Sequence, residues 1–393
     1  MSQDHDLGFE DIRMLEDRYQ LNTYAKLPLA LERGEGMYVY DSNGRRYLDL
    51  YGGHAVTLTG HCHPVVVQAV AEQIRRLMFY SNVVYSSVRA AAARDLVEAA
   101  PEPIDRVFFC NSGAEANETA MKIARRFTGR DRIIAMQGGF HGRTIGALSA
   151  TALGDYREMF TPLVEGYSFV KFGSLEAVER DMDKDTAGVL LEPIQSMAGV
   201  EMAEDEYYRG LRELCTRRGA MLIFDEVQTG LGRTGTWFFG DRMDVVPDLI
   251  TLAKGIGGGI PVGGVLLHES ISRTVGRGEH GSTFGGGQAA AAAISANIRV
   301  LREEGLVENA ARMGAYLVSR LAPLDLVRRV RGRGLLLGVE LACDAKPVRD
   351  YLLKQGIITG TSYHPSVLRL LPPLILMEKE ADRLVDALKG YRE

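Results

Sequence analysis

The tightest constraint on the fold is an alternation. Between Arg106 and Leu267, short apolar runs take turns with helical stretches. RVFFC precedes AEANETAMKIARRF, RIIAM follows, AGVLLEP precedes EYYRGLRELCTRR, and then come MLIFDEV, DLITLAK and VGGVLL. Several runs are continuously apolar, as strands are when both faces of their sheet are covered. Such β–α alternation predicts an α/β fold with a mainly parallel sheet. Upstream, MYVYDSNGRRYLDL alternates around Ser42, Asn43 and Gly44 and reads as a hairpin, while residues 64 to 100 are helical. After Gly287 one long Ala-rich helical stretch is expected, from about Gln288 to Leu321, and then a small α+β unit.

At 393 residues the chain is longer than one ordinary domain, so two domains, or one large and one small, are expected. Hydrophobic residues at 46% and charged residues at 25% suit a soluble protein with a substantial core. A net charge of −5 and the lack of a Lys/Arg-rich run argue against nucleic acid as a partner. Cys62, Cys110, Cys215 and Cys343 lie far apart with no C-x-x-C pair, which fits free thiols in a reducing compartment. The acidic start MSQDHDLGFEDI lacks the apolar centre of a signal peptide, and no apolar segment is long enough to span a bilayer. A cytoplasmic protein without membrane contact is the expectation.

In an open parallel sheet, ligands sit outside the carboxyl ends of the strands. Four stretches fall there. NSGAEANE follows RVFFC, and Ser112, Gly113 and Ala114 would open the next helix with N–H groups outward, a site for a phosphate. The same residues also suit a plain N-cap. FDEVQTG closes MLIF with Asp225 and Glu226, and a carboxylate at a buried strand end needs a cation or donors. Lys254 ends DLITLAK, ahead of Gly255, Gly257, Gly258 and Gly259. QGGFHGRT after RIIAM offers Phe140, His141 and Arg143.

One ligand accounts for all four: a phosphate at a helix N-terminus, a flat ring beside Phe140, a cationic ring nitrogen on Asp225 and an aldehyde captured by Lys254. Pyridoxal 5'-phosphate is that ligand, since a Schiff-base lysine and a carboxylate partner of the ring nitrogen are its expected signature. The glycines after Lys254 are then expected to be bare because the cofactor needs the volume.

The sequence resembles the class III pyridoxal-phosphate aminotransferases over nearly its whole length, and within them the acetylornithine and ornithine aminotransferase group. The resemblance is carried, in order, by DLYGGHAVTLTGHCHP, FFCNSGAEANETAMKIAR, GGFHGRT, LLEPIQ, LIFDEVQTGLGRTG, TLAKGIGGGIPVGG, HGSTFGG, RGRGLLLGVEL and VLRLLPPL. It implies fold type I, with a seven-stranded, mainly parallel sheet in a large domain (56–287). A small α+β domain would be built from both termini (1–55 and 288–393). It also implies a homodimer with shared active sites.

By the same resemblance, Lys254 bonds the cofactor and shuttles a proton, and a desolvated lysine is a competent nucleophile. Asp225 keeps the ring nitrogen protonated, Val227 and Phe140 pack on the two ring faces, and Gln228 meets the ring hydroxyl. Ser112, Gly113 and Ala114 bind the phosphate, with Thr283 reaching it from the neighbouring subunit. Arg143 and Arg369 match the two carboxylate-binding positions, where guanidinium pairs bidentately with carboxylate. Tyr24 and Glu192 match a substrate-contacting tyrosine and an acid near the site. The implied reaction moves the terminal amino group of an ω-amino acid such as N-acetylornithine to a 2-oxo acid, 2-oxoglutarate first, by a ping-pong mechanism.

Donors of the 4-aminobutyrate, ornithine or carrier-bound lysine type, or pyruvate as acceptor, are alternatives within the transferases. An aminomutase or decarboxylase on the same fold is a more distant one, disfavoured by the retention of both arginines. A binding protein without catalysis is disfavoured by the retention of Lys254 and Asp225. Where relatives read E-P-I-Q-G-E-G-G this chain reads EPIQSMAGV, so Met197 replaces the glutamate that covers the acceptor-binding arginine. His54 and Gln288 also depart from the group's usual residues. His61, Cys62 and His63 in GHCHP are read as structural, because a zinc site needs about four ligands and no second cluster exists. No metal is expected.

Overall fold

The computed structural model describes residues 7–392; the start of the acidic stretch MSQDHDLGFEDI, residues 1–6, lies outside the described residues. Seven strands form the central sheet: β1 (Ile104–Cys110), β2 (Arg132–Met136), β3 (Tyr167–Val170), β4 (Thr186–Leu191), β5 (Met221–Asp225), β6 (Leu249–Leu252) and β7 (Gly263–His268). Their spatial order is β1-β7-β6-β5-β4-β2-β3. β7 runs antiparallel to both β1 and β6, and every other pairing is parallel. All residues of β4, β5 and β6 are buried, which is why their sequences are unbroken apolar runs. β3 is absent from the alternation read in the sequence. It is a short edge strand, YSFV, with three of its four residues only half-buried, so its pattern is weak.

Helix α1 (Gly113–Thr128) crosses the sheet on a stripe of small residues. Ala116, Ala120 and Ala124, four apart, are wholly buried, so the helix lies close to the strands. Ser112 caps its start by accepting from the Glu115 N–H, and Gly129 at φ 66 ends it.

The expected single helix from 288 to 321 is two. α2 (Gln288–Glu303) and α3 (Leu306–Leu321) are separated by Gly305 at φ 62, a left-handed conformation that glycine adopts without steric cost. Sequence periodicity ran through the break because both helices are apolar on one face. The surface helix Phe9–Tyr19 has no buried residue, so no core-facing pattern marks it.

Strands Leu31–Glu35, Tyr38–Asp41 and Arg46–Asp49 form an antiparallel sheet, joined in parallel by Ile357–Ile358. Asp41 holds the intervening hairpin by accepting from the N–H groups of Asn43 and Arg45, with Gly44 at φ 76. A second antiparallel sheet contains Val327–Arg333, Leu336–Leu341, Val367–Leu370 and Gly360–Thr361. The strand carrying Arg369 sits far from Lys254 in sequence, yet Arg369 comes close enough to act electrostatically on it.

Candidate active site

The carboxyl ends of β1, β2, β4, β5 and β6 surround a cavity of about 360 Å³. Its lining includes Ser112, Gly113, Ala114, Phe140, Glu192, Asp225, Val227, Gln228 and Lys254. Nine residues from five separate stretches thus meet in one place.

Lys254 follows β6 at φ 46, an uncommon left-handed conformation for a side-chain-bearing residue. Burial lowers the pKa of its amine, and the Arg369 charge adds to this; the carboxylates Asp225 and Glu192 oppose it. Asp225, 4% exposed, ends β5. Its Oδ2 accepts from Asn117 Nδ2 at 2.8 Å and pairs with His141 Nδ1 at 2.8 Å, while Oδ1 accepts the Val227 N–H at 3.1 Å. Asn117 is fixed in turn, since its Oδ1 accepts from Thr251 Oγ1 at 2.7 Å and its Nδ2 also donates to the His141 carbonyl. This bracing holds one carboxylate in one orientation. Asn117 was missed in the sequence, although a polar residue on the alanine-lined face of α1 is a usable signal.

Glu192 is buried, and its Oε1 accepts the Phe140 N–H at 2.8 Å. Desolvation, with the Asp225 charge nearby, raises its pKa. At the start of α1 the Ser112 hydroxyl is engaged as the N-cap, so the capping reading of that residue holds. The N–H groups of Gly113 and Ala114 have no protein acceptor among the described residues, which leaves an anion-receiving helix start. A Cβ on Gly113 would stand 3.0 Å from a Val227 methyl.

The glycines after Lys254 require a correction. A Cβ on Gly255 would lie 2.6 Å from Leu58, and one on Gly257 2.8 Å from Val262. Gly258 has φ 55. These three are bare because the protein packs against them or turns there; of the four, only Gly259 lines the cavity.

The remaining expected residues do not line the cavity. Arg143 is exposed, its guanidinium 3.8 Å from the Tyr156 ring and 5.6 Å from the Phe140 ring. Arg369 is buried and donates to Thr361 O (2.7 Å), Ser196 Oγ (3.1 Å) and the Tyr51 hydroxyl, all neutral acceptors. Among the described residues neither arginine has a carboxylate partner. Thr283 is exposed, although its neighbour Ser282 accepts from Asn111 beside α1. Tyr24 is 78% exposed and lines a separate cleft against the helix Phe9–Tyr19. His61 and His63 face Asp49 and Glu304, and no group of three or more metal-ligating side chains gathers among the described residues.

An amine of lowered pKa, a braced carboxylate, free N–H groups at a helix start and apolar walls from Phe140 and Val227 fit pyridoxal phosphate. The chain belongs to the class-III aminotransferases: it matches that family over residues 19–391 and is a pyridoxal-phosphate-dependent enzyme.

Among its relatives, the acetylornithine aminotransferase of Methanopyrus kandleri is 47% identical over 97% of this chain and 99% of its own. Ornithine aminotransferase 1 of Staphylococcus aureus is 40% identical over 95% of this chain and 97% of its own. The crystal structure of the Toxoplasma gondii ornithine aminotransferase superposes with a TM-score of 0.92 at 32% identity, covering 98% of this chain and 94% of that one. No helix among the described residues is long and apolar enough to cross a membrane.

Proposed function

We propose that the enzyme transfers the terminal amino group of an ω-amino acid of the N-acetylornithine kind to a 2-oxo acid, 2-oxoglutarate first, in a ping-pong cycle. The observation that carries this reading is the pair of guanidinium groups without a carboxylate partner, Arg143 and Arg369, on separate elements near one lysine-bearing cavity. Two such groups suit two carboxylate-bearing substrates. The names of the similar enzymes from Methanopyrus and Staphylococcus support it.

When bound, the cofactor supplies an aldehyde that takes up the amino group and a ring that withdraws electrons from the carbon losing its proton. Lys254 holds the cofactor, and its amine, its basicity lowered by burial, carries the proton to and from that carbon. Asp225, oriented by Asn117 and His141, keeps the ring nitrogen protonated. Phe140 and Val227 confine the ring, Gln228 meets the ring hydroxyl, and the Gly113 and Ala114 N–H groups with Ser112 receive the phosphate. Arg143, stacked on Tyr156, takes the far carboxylate of the donor, and Arg369 takes the α-carboxylate of the acceptor. Glu192 lies beside the reacting groups. Thr283, exposed in the single chain, reaches the phosphate of the neighbouring subunit in a cytoplasmic homodimer, and Tyr24 contacts substrate.

Met197 supports a second reading, with a more apolar donor or pyruvate as acceptor. It is half-buried, its carbonyl accepts from the Tyr363 N–H, and among the described residues no carboxylate pairs with Arg369. The test is a half-reaction panel on the yellow enzyme with N-acetylornithine, ornithine, 4-aminobutyrate, lysine and β-alanine, followed by either oxo acid. Fading of the cofactor absorbance with N-acetylornithine, restored by 2-oxoglutarate, is expected. Fading only with other amines, restored by pyruvate, selects the second reading; no fading with any of them refutes both.

A further inference from the structure

The GHCHP stretch, with no chemical role in the reading above, lies at the base of a chain of contacts that ends on Arg369. His61 Nε2 lies 2.7 Å from Asp49 Oδ2, with the carboxylate side chain 5% exposed and the imidazole 17%. The ring is fixed by its backbone as well. His61 exchanges hydrogen bonds of 2.9 and 2.8 Å with Gly36, and a Cβ on Gly34 would stand 2.8 Å from the His61 Cβ. The other oxygen of Asp49 accepts the N–H groups of Tyr51 (2.8 Å) and Gly52 (2.9 Å).

Those two residues open a turn in which Gly52, Gly53, His54 and Ala55 have φ values of 55, 56, 69 and 65. Left-handed backbone is unfavourable at His54 and Ala55 and persists only where the surroundings over-determine it. Asp49 fixes the entry to this turn through the Tyr51 and Gly52 N–H groups. The turn in turn grips the strand of Arg369. The Leu371 N–H donates to the Leu50 carbonyl at 2.8 Å, and a Cβ on Gly52 would come within 2.7 Å of the Leu371 carbonyl oxygen. Finally, the Tyr51 hydroxyl accepts from Arg369 Nη2.

We infer that Asp49 and His61 form a positioning pair for the substrate-carboxylate site: His61 holds Asp49, Asp49 holds the strained turn, and the turn sets the Tyr51 hydroxyl that aims Arg369. The inference rests on the assignment of Arg369 proposed above. Neither residue touches substrate or cofactor; both act through Tyr51. The simpler alternative is that Asp49 only offsets the charge of Arg233, which is wholly buried and interacts electrostatically with Asp49. Under that alternative, replacing His61 would change stability and not carboxylate affinity.

The test measures binding of glutarate, a dicarboxylate that cannot be aminated, to the holoenzyme by calorimetry. His61→Leu and Tyr51→Phe are each expected to weaken binding about tenfold, the range for a hydrogen bond to a charged group. Because they break one chain of contacts, the double variant should be about as weak as either single one. His61→Gln, which keeps an N–H near the Nε2 position, should recover most of the affinity. In kinetics the acceptor KM should rise more than kcat falls.

Additive losses in the double variant, or unchanged affinity with only a lowered melting temperature, overturn the inference. Tyr51→Phe leaves the buried pair intact, so unchanged affinity there overturns it even if His61→Leu does not fold. Arg369→Lys separates the two claims: glutarate binding equal to wild type would sink the carboxylate assignment, and the inference with it. Loss in Arg369→Lys without loss in His61→Leu overturns the positioning role alone.

Discussion

Replacing Asn117 with alanine tests whether the braced carboxylate is what the site depends on. The substitution removes the 2.8 Å bond to Asp225, the 2.8 Å bond to the His141 carbonyl and the bond accepted from Thr251. A bond to a charged group contributes about 1.5–3 kcal/mol and a neutral one about 1 kcal/mol. The sum is about 3.5–5 kcal/mol, reduced by any water that enters the void. Asn117 is 1% exposed, so solvent cannot easily replace all three partners. Urea unfolding of the cofactor-free protein should therefore show a loss of about 2–4 kcal/mol once partial water rescue is allowed for. Cofactor retention, followed by absorbance during dialysis, should fall about tenfold because Asp225 keeps only His141 and the Val227 N–H to orient it. A loss under 1 kcal/mol with full cofactor retention would refute the reasoning, since Asp225 would then be held without Asn117.

Three further outcomes are expected. Glu226 is buried, accepting from the Phe239 N–H and the Thr229 hydroxyl, and burial raises its pKa to about 8. The native state keeps this proton while the unfolded state releases it near the ordinary carboxylate pKa, so stability falls as pH rises from about 4.5 to 8 and then levels. Urea midpoints should follow this slope in wild type and be flatter in Glu226→Gln; parallel slopes would refute it. Gly255→Ala, with Leu58 only 2.6 Å away, should cost about 1–3 kcal/mol of stability in the cofactor-free protein. A loss of cofactor affinity alone, without that loss of stability, would restore the view that the glycine serves the cofactor. Met197→Glu places a carboxylate in the segment that holds Arg369 and should shift the ratio of kcat/KM for 2-oxoglutarate to that for pyruvate by more than about threefold. An unchanged ratio would end the argument from Met197.

Much of this enzyme was legible locally. The apolar runs of β4, β5 and β6, the cap at Ser112, and the placement of Lys254 and Asp225 at strand ends all follow from periodicity and residue type within a few positions. They survive folding because backbone hydrogen bonding and burial of one strand or helix are decided by neighbouring residues. The break at Gly305 and the edge strand β3 escaped, since a glycine between two amphipathic helices and a half-buried tetrapeptide carry little local pattern.

The tertiary structure decided what the side chains meet. Asp225 is aimed by Asn117, 108 residues away, and by His141, 84 residues away. Arg369 finds the Tyr51 hydroxyl across 318 positions. Gly255 and Gly257 yield to Leu58 and Val262, not to the cavity. Residue type and spacing set which groups can bear charge or leave space, but orientation and pKa depend on desolvation and on partners brought together from distant segments. Those contacts exist only once the sheets have closed.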